Sequence, residues 1–284
     1  GISSSFSSST KFEVAKSTLS VPGLLGDAFS KSLGNETGYF YDGLNGGFEF
    51  DMTSLIFDES TKQKPPAYNM QKDLGHYRKS YNKGTLLEDS ISDTPYALFE
   101  KWFLEVDNHF KGIEVNAMTL STISSDGYPK SRVVLLKKYN SDGFIFYTNY
   151  ESNKGKSIIK HPKVCLSFHW EGAERQVIIK GKAEKIPSSV SDSYFKSRPR
   201  GSQLGAYVSK QSSVVKNRSE IENRLIELEE KFKGQSINRP EFWGGFIVRP
   251  IEIEFWQGRE NRLHDRILYK LDGDLKWLIQ RLSP

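Results

Sequence analysis

The sequence predicts a mainly β protein with peripheral helices (α+β), its antiparallel strands closing into a barrel with helices at the rim. Three observations carry this expectation. Strand-like runs recur from about residue 116 to the C-terminus. Asp126-Gly127 and Asp142-Gly143 separate the first of them, and neighbours joined by such tight turns pair antiparallel, because parallel neighbours need a crossover of a dozen or more residues. Helical periodicity is confined to a few stretches, which suits helices placed around a barrel.

In chain order, residues 1–70 are punctuated and irregular and are expected to form an N-terminal extension that docks loosely or not at all. Within it, Tyr39, Phe40, Tyr41, Phe48 and Phe50 flank the turn pairs Asp42-Gly43 and Asn45-Gly46, a hairpin pattern. The polar stretch 58–66 ends in Pro-Pro and reads as a linker. Organised pattern occupies 71–284, read as one domain. Thr94 and Pro95 signal a helix whose stripe is Leu98, Trp102 and Val106, with Gly112 after its end. Strands are predicted over 116–124, 131–139 and 144–148, then a short helix over 153–160, then strands over 164–170 and 176–186. A helix over 188–196 precedes the clearest one, 219–233. There Ser219 and Glu222 read as a capping box, Ile221, Leu225, Leu228 and Phe232 as the apolar stripe, and Gly234 as the stop. Strands over 243–257, 264–271 and 277–281 complete the chain.

At 284 residues with 37% hydrophobic content the chain can build a real core. Forty basic against 35 acidic residues give +5, too mild to demand nucleic acid and consistent with small anionic ligands. A lone cysteine, Cys165, excludes an intrachain disulfide and a Cys-based zinc site, so a reducing compartment is expected. No apolar run approaches the roughly 18 residues of a membrane helix. The expectation is a soluble, cytoplasmic protein without a membrane or nucleic-acid partner. The start at Gly1 reads as a processed or engineered end. The Ser-rich first 20 residues, with Glu13 as their single acid, suit a disordered tail better than the remains of an organelle-targeting segment.

Two stretches concentrate chemistry. Residues 254–266 read EFWQGRENRLHDR. If extended, they place Trp256, Arg262, His264 and Arg266 on one side, because side chains alternate with period 2. Such a cationic row beside an indole suits a phosphate or a planar ring; the plainer alternative is a solvated basic strand edge. Residues 197–213, SRPRGSQLGAYVSKQSS, are rich in donors that phosphate oxygens would satisfy, or form an ordinary surface loop. No dinucleotide or Walker loop, His-Glu-x-x-His or Gly-x-Ser-x-Gly occurs. The five histidines lack metal-ligand spacing, with His109 and His169 read as structural, and no metal is expected. With no evident protein nucleophile, a bound cofactor would have to perform any reaction.

These stretches, together with RVVLLK at 132–137, YTN at 147–149, RQV at 175–177, WGGF at 243–246 and the terminal Arg281-Leu282 and Pro284, closely resemble the pyridoxine/pyridoxamine 5'-phosphate oxidase family. The likeness runs from about 73 to 284 in conserved order and spacing. It implies a split-barrel homodimer with FMN in two interface sites. The implied reaction oxidises pyridoxine 5'-phosphate or pyridoxamine 5'-phosphate to pyridoxal 5'-phosphate, with O2 reoxidising the flavin and H2O2 released. Carried over, FMN would meet Arg132, Val133, Val134, Leu135, Leu136, Lys137, Tyr147, Thr148, Ser152, Lys154, Gln176, Gln211, Ser212, Trp256 and Arg266. The substrate phosphate would meet Lys137, Tyr194, Arg198 and Ser202. Arg262 and His264, the implied catalytic pair, would lie over the pyridine ring, with Arg78 to Tyr81 as a lid.

One position departs from the family pattern. Asn153 stands before Lys154 where the family usually has Arg, so one guanidinium near the FMN phosphate is missing, and Lys156 is the nearest substitute. The alternative reading is a non-catalytic split barrel that binds flavin or pyridoxal phosphate. Arg262 and His264 argue against it, since a pure binder has no need of groups over the reacting carbon.

Overall fold

A computed structural model describes residues 72–284 and the backbone of two strands before them, Gly38–Tyr41 (β1) and Gly47–Phe50 (β2), which pair antiparallel. The hairpin expected from the aromatic patch is thus present, while its turn, the linker over 58–66 and the Ser-rich start lie outside the described residues. The chain divides into two units at Tyr77/Arg78; all elements below belong to the second.

Helix Pro95–His109 (α1) begins as the sequence predicts. The Thr94 hydroxyl accepts the Ala97 N–H at 3.3 Å, and Pro95 fills the first turn, where a missing N–H costs nothing. Leu98, Phe99, Trp102 and Val106 form its buried face. Strands Ala117–Ile123 (β3), Pro129–Leu135 (β4), Lys138–Asn140 (β5) and Gly143–Asn149 (β6) follow. The single strand expected over 131–139 is therefore two. At the break, Leu136 is buried and donates its N–H to Asn116 O, while Lys137 donates to Ile145 O, so the chain leaves β3 and joins β6.

Helix Asn153–Lys160 (α2) is capped by Ser152. Strands Lys163–Trp170 (β7) and Arg175–Lys185 (β8) lead to helices Ser188–Ser197 (α3), Arg200–Val208 (α4) and Arg218–Lys231 (α5). The chain ends in Trp243–Gln257 (β9), Asp265–Leu271 (β10) and Trp277–Leu282 (β11). Helix α4 lies in the donor-rich stretch whose plain reading is a loop; its glycines hid an apolar face, Leu204, Ala206 and Val208. The cap of α5 is also corrected. Asn217 accepts from the Glu220 N–H at 3.2 Å, and Glu222 pairs with Arg218 instead of closing a capping box. Leu225, Leu228 and Phe232 pack beside Phe195 and Trp243, whereas Ile221 is 38% exposed.

All pairings are antiparallel, in the order β11-β10-β9-β8-β7-β3-β4, with β6 beside the first half of β9 and β5 beside β6. Because β5 directly continues β4, the pairings come full circle and the sheet curls into a split barrel. Alternation assigns its faces. The cross-strand rows Val177/Phe255/Ile267 and Ile179/Ile253/Tyr269 are buried, while Gln176/Trp256/Arg266 and Lys180/Glu252/Lys270 face outward. Helix α1 plugs the interior with Phe99, whose ring meets Tyr139, Phe144 and Phe168 edge-on at 5.2, 5.0 and 5.2 Å. No helix among the described residues is long and apolar enough to cross a membrane.

Phe99 is fully buried, so Phe99→Ala should lower unfolding free energy by about 3–5 kcal/mol. Urea titration checks this, and a loss below ~1 kcal/mol would show that α1 does not fill the barrel.

Candidate active site

Side chains able to bind anions or planar rings gather in two groups. The first lies where β6 ends and β9 begins. Tyr147 stacks on Tyr194 with centroids 3.8 Å apart and planes within 14° of parallel, and Trp243 extends the stack at 5.5 Å from Tyr147. The Gly244-Gly245 pair permits this. A Cβ at Gly245 would strike Ile186 and Tyr147, and one at Gly244 would strike the Tyr150 hydroxyl. Arg198, just past the end of α3, lays its guanidinium 4.5 Å from the Trp243 centroid. Its Nη1 is buried without a hydrogen-bond partner, and burial pushes its pKa below the ordinary arginine value. Ser202 stands one turn on, in α4.

Adjoining this stack, Gln211 Oε1 accepts from the Thr148 hydroxyl at 3.3 Å and from Lys154 Nζ at 2.8 Å. Asn153 N–H donates to the Ser212 hydroxyl at 3.2 Å, and Ser152, fully buried, caps α2. Arg132 reaches across β3 to Leu120 O at 3.0 Å and the Thr122 hydroxyl at 2.8 Å. Burial, and then the nearby Arg132 charge, lowers the Lys154 pKa. Several other arginines meet carboxylates, as in Arg266–Glu254, Arg259–Asp265 and Arg239–Asp192. Among the described residues, Arg132, Lys154 and Arg198 form no ion pair within 4.0 Å and have only neutral partners. Positive charge that is partly desolvated and left without a carboxylate, shared between neighbouring Arg132 and Lys154 and carried separately by Arg198, fits phosphate-bearing ligands. Along β4, Val133 is exposed, Val134 and Leu135 are half-buried, and Lys137 is exposed just beyond the strand.

The second group lies at the opposite end of β9. Gln176, Trp256 and Arg266 occupy one cross-strand row on β8, β9 and β10 and so share a face. The extended path assumed for 254–266 is corrected. The chain leaves β9 at Gln257, turns through Glu260–Arg262 with Asn261 and Arg262 in the left-handed region (φ 54° and 63°), and returns as β10. Trp256 and Arg266 remain on one side because they are cross-strand partners, not because one strand carries both. His264 packs 4.7 Å from Trp256, and Tyr81 meets both rings edge-on at 5.8 and 5.6 Å. Arg78 stands three residues before Tyr81. The Arg259 N–H donates to His264 Nδ1 at 3.1 Å, which leaves Nε2 to carry the proton of the neutral ring. Burial and then the Arg262 charge push the His264 pKa below its ordinary value.

Sequence reasoning passed over several residues of these groups. Trp243 belongs to the WGGF run, and the glycine pair beside it is the local signal for a ring stacked at this end. Arg259 and Asp265 brace the turn, since Asp265 accepts from Arg259 at 2.7 Å, Arg281 at 3.0 Å and the Leu86 N–H at 3.0 Å. Nothing in the local pattern distinguished them from solvated charges.

The family model described as pyridoxamine 5'-phosphate oxidase matches residues 107–232. A second, described as the pyridoxine 5'-phosphate oxidase C-terminal dimerisation region, matches 243–284. A pyridoxine/pyridoxamine 5'-phosphate oxidase of Flavobacterium psychrophilum is 58% identical over 214 residues, 75% of this chain and all of its own length. One of Christiangramia forsetii is 53% identical over 215 residues, 76% of this chain and all of its own length. Among solved structures, PhzG from Burkholderia lata, in complex with tetrahydrophenazine-1-carboxylic acid, superposes with a TM-score of 0.66 at 27% identity, over 72% of this chain and all of that one. A pyridoxamine 5'-phosphate oxidase-related, FMN binding protein from Nostoc punctiforme shares the fold, with a TM-score of 0.54 at 14% identity over 68% of this chain and all of its own. With most of the barrel identical to full-length bacterial relatives, the chain belongs to the pyridoxamine 5'-phosphate oxidase family.

Proposed function

We propose that the chain, as a homodimer, oxidises pyridoxine 5'-phosphate and pyridoxamine 5'-phosphate to pyridoxal 5'-phosphate with FMN and O2, releasing H2O2. The observation that carries this reading is Arg198, a buried guanidinium edge with an unspent donor, set against a wall of stacked aromatic rings. A phosphate on an aromatic ring satisfies both features. Family membership supports the same substrates, and full coverage of the relatives by about three quarters of the chain supports assigning the activity to 71–284, with 1–70 as an extension.

The two groups stand thirteen residues apart on β9, about 40 Å of extended chain at ~3.3 Å per residue. A site using both takes one group from each of two chains, and the match of 243–284 to a dimerisation region supports that arrangement. In it, Arg132, Lys154 and Gln211 would hold the FMN phosphate, while Gln176, Trp256 and Arg266 would come from the partner chain. When bound, FMN supplies a hydride acceptor that O2 restores. Lys137, Tyr194, Arg198 and Ser202 bind the substrate phosphate. Arg262 and His264 orient the pyridine ring, His264 as a donor through Nε2. The single half-buried thiol, Cys165, suits a reducing compartment such as the cytoplasm.

The missing guanidinium at position 153 has neighbours able to replace it. Asn153, Lys156 and Arg224 line one cavity of about 340 Å³ beside Gln211 and Ser212. Lys156 is taken as the substitute.

Oxygen uptake with each phosphorylated vitamer and added FMN tests the activity. Arg198→Ala should raise KM by about 10- to 150-fold, the equivalent of one charge-assisted hydrogen bond; an unchanged KM removes Arg198 from the phosphate site. By the same scale, Lys156→Ala should weaken FMN binding about tenfold, and Asn153→Arg should restore it in that background. Equilibrium dialysis reads both, and full affinity in Lys156→Ala would dismiss Lys156. His264 should titrate below its ordinary 6.5, staying neutral as the pH falls through that value. Arg262→Gln should move the titration upward by removing a like charge; NMR of the imidazole protons measures both, and a midpoint at or above 6.5 would refute the assignment.

A further inference from the structure

Glu174 stands outside every role described above, yet three parts of the second group meet at it. It follows the short turn Glu171–Ala173 between β7 and β8 and adopts a left-handed conformation, φ 55° and ψ 40°, uncommon for a residue with a side chain. Its side chain is 1% exposed. Oε2 accepts two backbone N–H groups from a segment about ninety residues earlier, Asn82 at 2.8 Å and Lys83 at 3.0 Å. Lys79 Nζ lies 3.9 Å from Oε1. The Glu174 carbonyl accepts the Gly258 N–H at 2.8 Å and Gln257 Nε2 at 3.2 Å, which ties the same residue to the end of β9.

A buried carboxylate is costly unless its oxygens receive hydrogen bonds, and here two main-chain donors supply them. The exchange is mutual, because residues 82 and 83 are outside any strand and need acceptors for those N–H groups. The segment is also seated closely. A Cβ at Gly84 would come within 2.9 Å of the Gln257 amide, and one at Gly258 within 2.9 Å of Tyr81. Lys83 Nζ adds a bond to Gly172 O at 2.6 Å. Tyr81, one residue before the anchored pair, is the ring that rests on Trp256 and His264.

We infer that Glu174 is a positioning residue of the active site: by holding the backbone at 82–83 it sets Tyr81 against Trp256 and His264 as a fixed wall. The inference rests on the oxidase reading of this site. It assigns Glu174 no contact with substrate or cofactor; the effect passes through Tyr81.

The test uses the full chain loaded with FMN and compares Glu174→Ala, Tyr81→Ala, the double variant and Glu174→Gln by oxygen uptake with pyridoxine 5'-phosphate. Glu174→Ala should raise KM about tenfold with kcat changed by less than about threefold, and the double variant should be no worse than Tyr81→Ala, since residues acting through one contact are not additive. Glu174→Gln keeps an acceptor oxygen and should recover most of the KM. Limited trypsin digestion should cut after Lys79 and Lys83 faster in Glu174→Ala than in the parent, while Tyr81→Ala stays slow. Additive effects on KM, or unchanged cleavage in Glu174→Ala, would overturn the inference. If Glu174→Ala does not fold, Glu174→Asp, whose shorter side chain cannot reach both N–H groups, takes its place in both assays. A parent chain that consumes no oxygen would defeat the oxidase reading, and the digestion alone would then decide whether Glu174 holds the segment.

Discussion

The antiparallel pairing of β8 with β9 is the constraint on which the rest of the molecule depends. It spans nearly all of both strands, and β9 has a second neighbour at each end, β6 over its first half and β10 over its second. One strand therefore carries the Trp243 aromatic stack at one end and the Trp256 row at the other. Strand periodicity then divides the faces. Phe255 and Ile253 turn into the barrel, while Trp256 and Glu254 turn out of it. A slip of one residue would exchange these sets and remove both core and site together.

The cations divide by their partners. Arg266 is neutralised by Glu254 and Arg259 by Asp265 near Trp256, as Arg239 is by Asp192 beside Trp243. At the Trp243 end, Arg132, Lys154 and Arg198 meet carbonyl, hydroxyl, amide and ring partners. Paired ions brace a turn; cations with only neutral partners attract an anion. That contrast separates bracing cations from anion-competent ones.

Both ends of β9 are braced by contacts that are remote in sequence. Tyr147 and Trp243 come together because β6 and β9 are neighbours, with Gly245 opposite Tyr147. Tyr81 reaches Trp256 and His264 only because Glu174, Gln257 and Asp265 receive a segment from far earlier in the chain. The turn that presents Arg262 is held from both sides, by the Arg259 contacts with His264 and Asp265 and by Arg281 of β11 on the same carboxylate. These ties give the loop a defined shape despite two consecutive left-handed residues, each of which costs about 1–2 kcal/mol.

Much was legible in the sequence alone, because period-2 alternation, Asp-Gly turns and the Thr94-Pro95 start are local signals. They determined the antiparallel order of elements, the face of α1 that enters the core, and the segments that carry phosphate-competent groups. Local signals could not reveal the break at Leu136–Lys137, where one apparently continuous strand exchanges β3 for β6, since both halves satisfy the same alternation. Nor could they reveal the turn at 260–262, because the parity that aligned Trp256 with Arg266 in an extended chain also survives in a hairpin. Only tertiary structure decided which cations keep a carboxylate and which do not, and that Glu174 and Asp265 are anchors and not surface acids. The physical reason is that burial and pairing depend on residues tens to hundreds of positions away, brought into contact by the curl of the sheet.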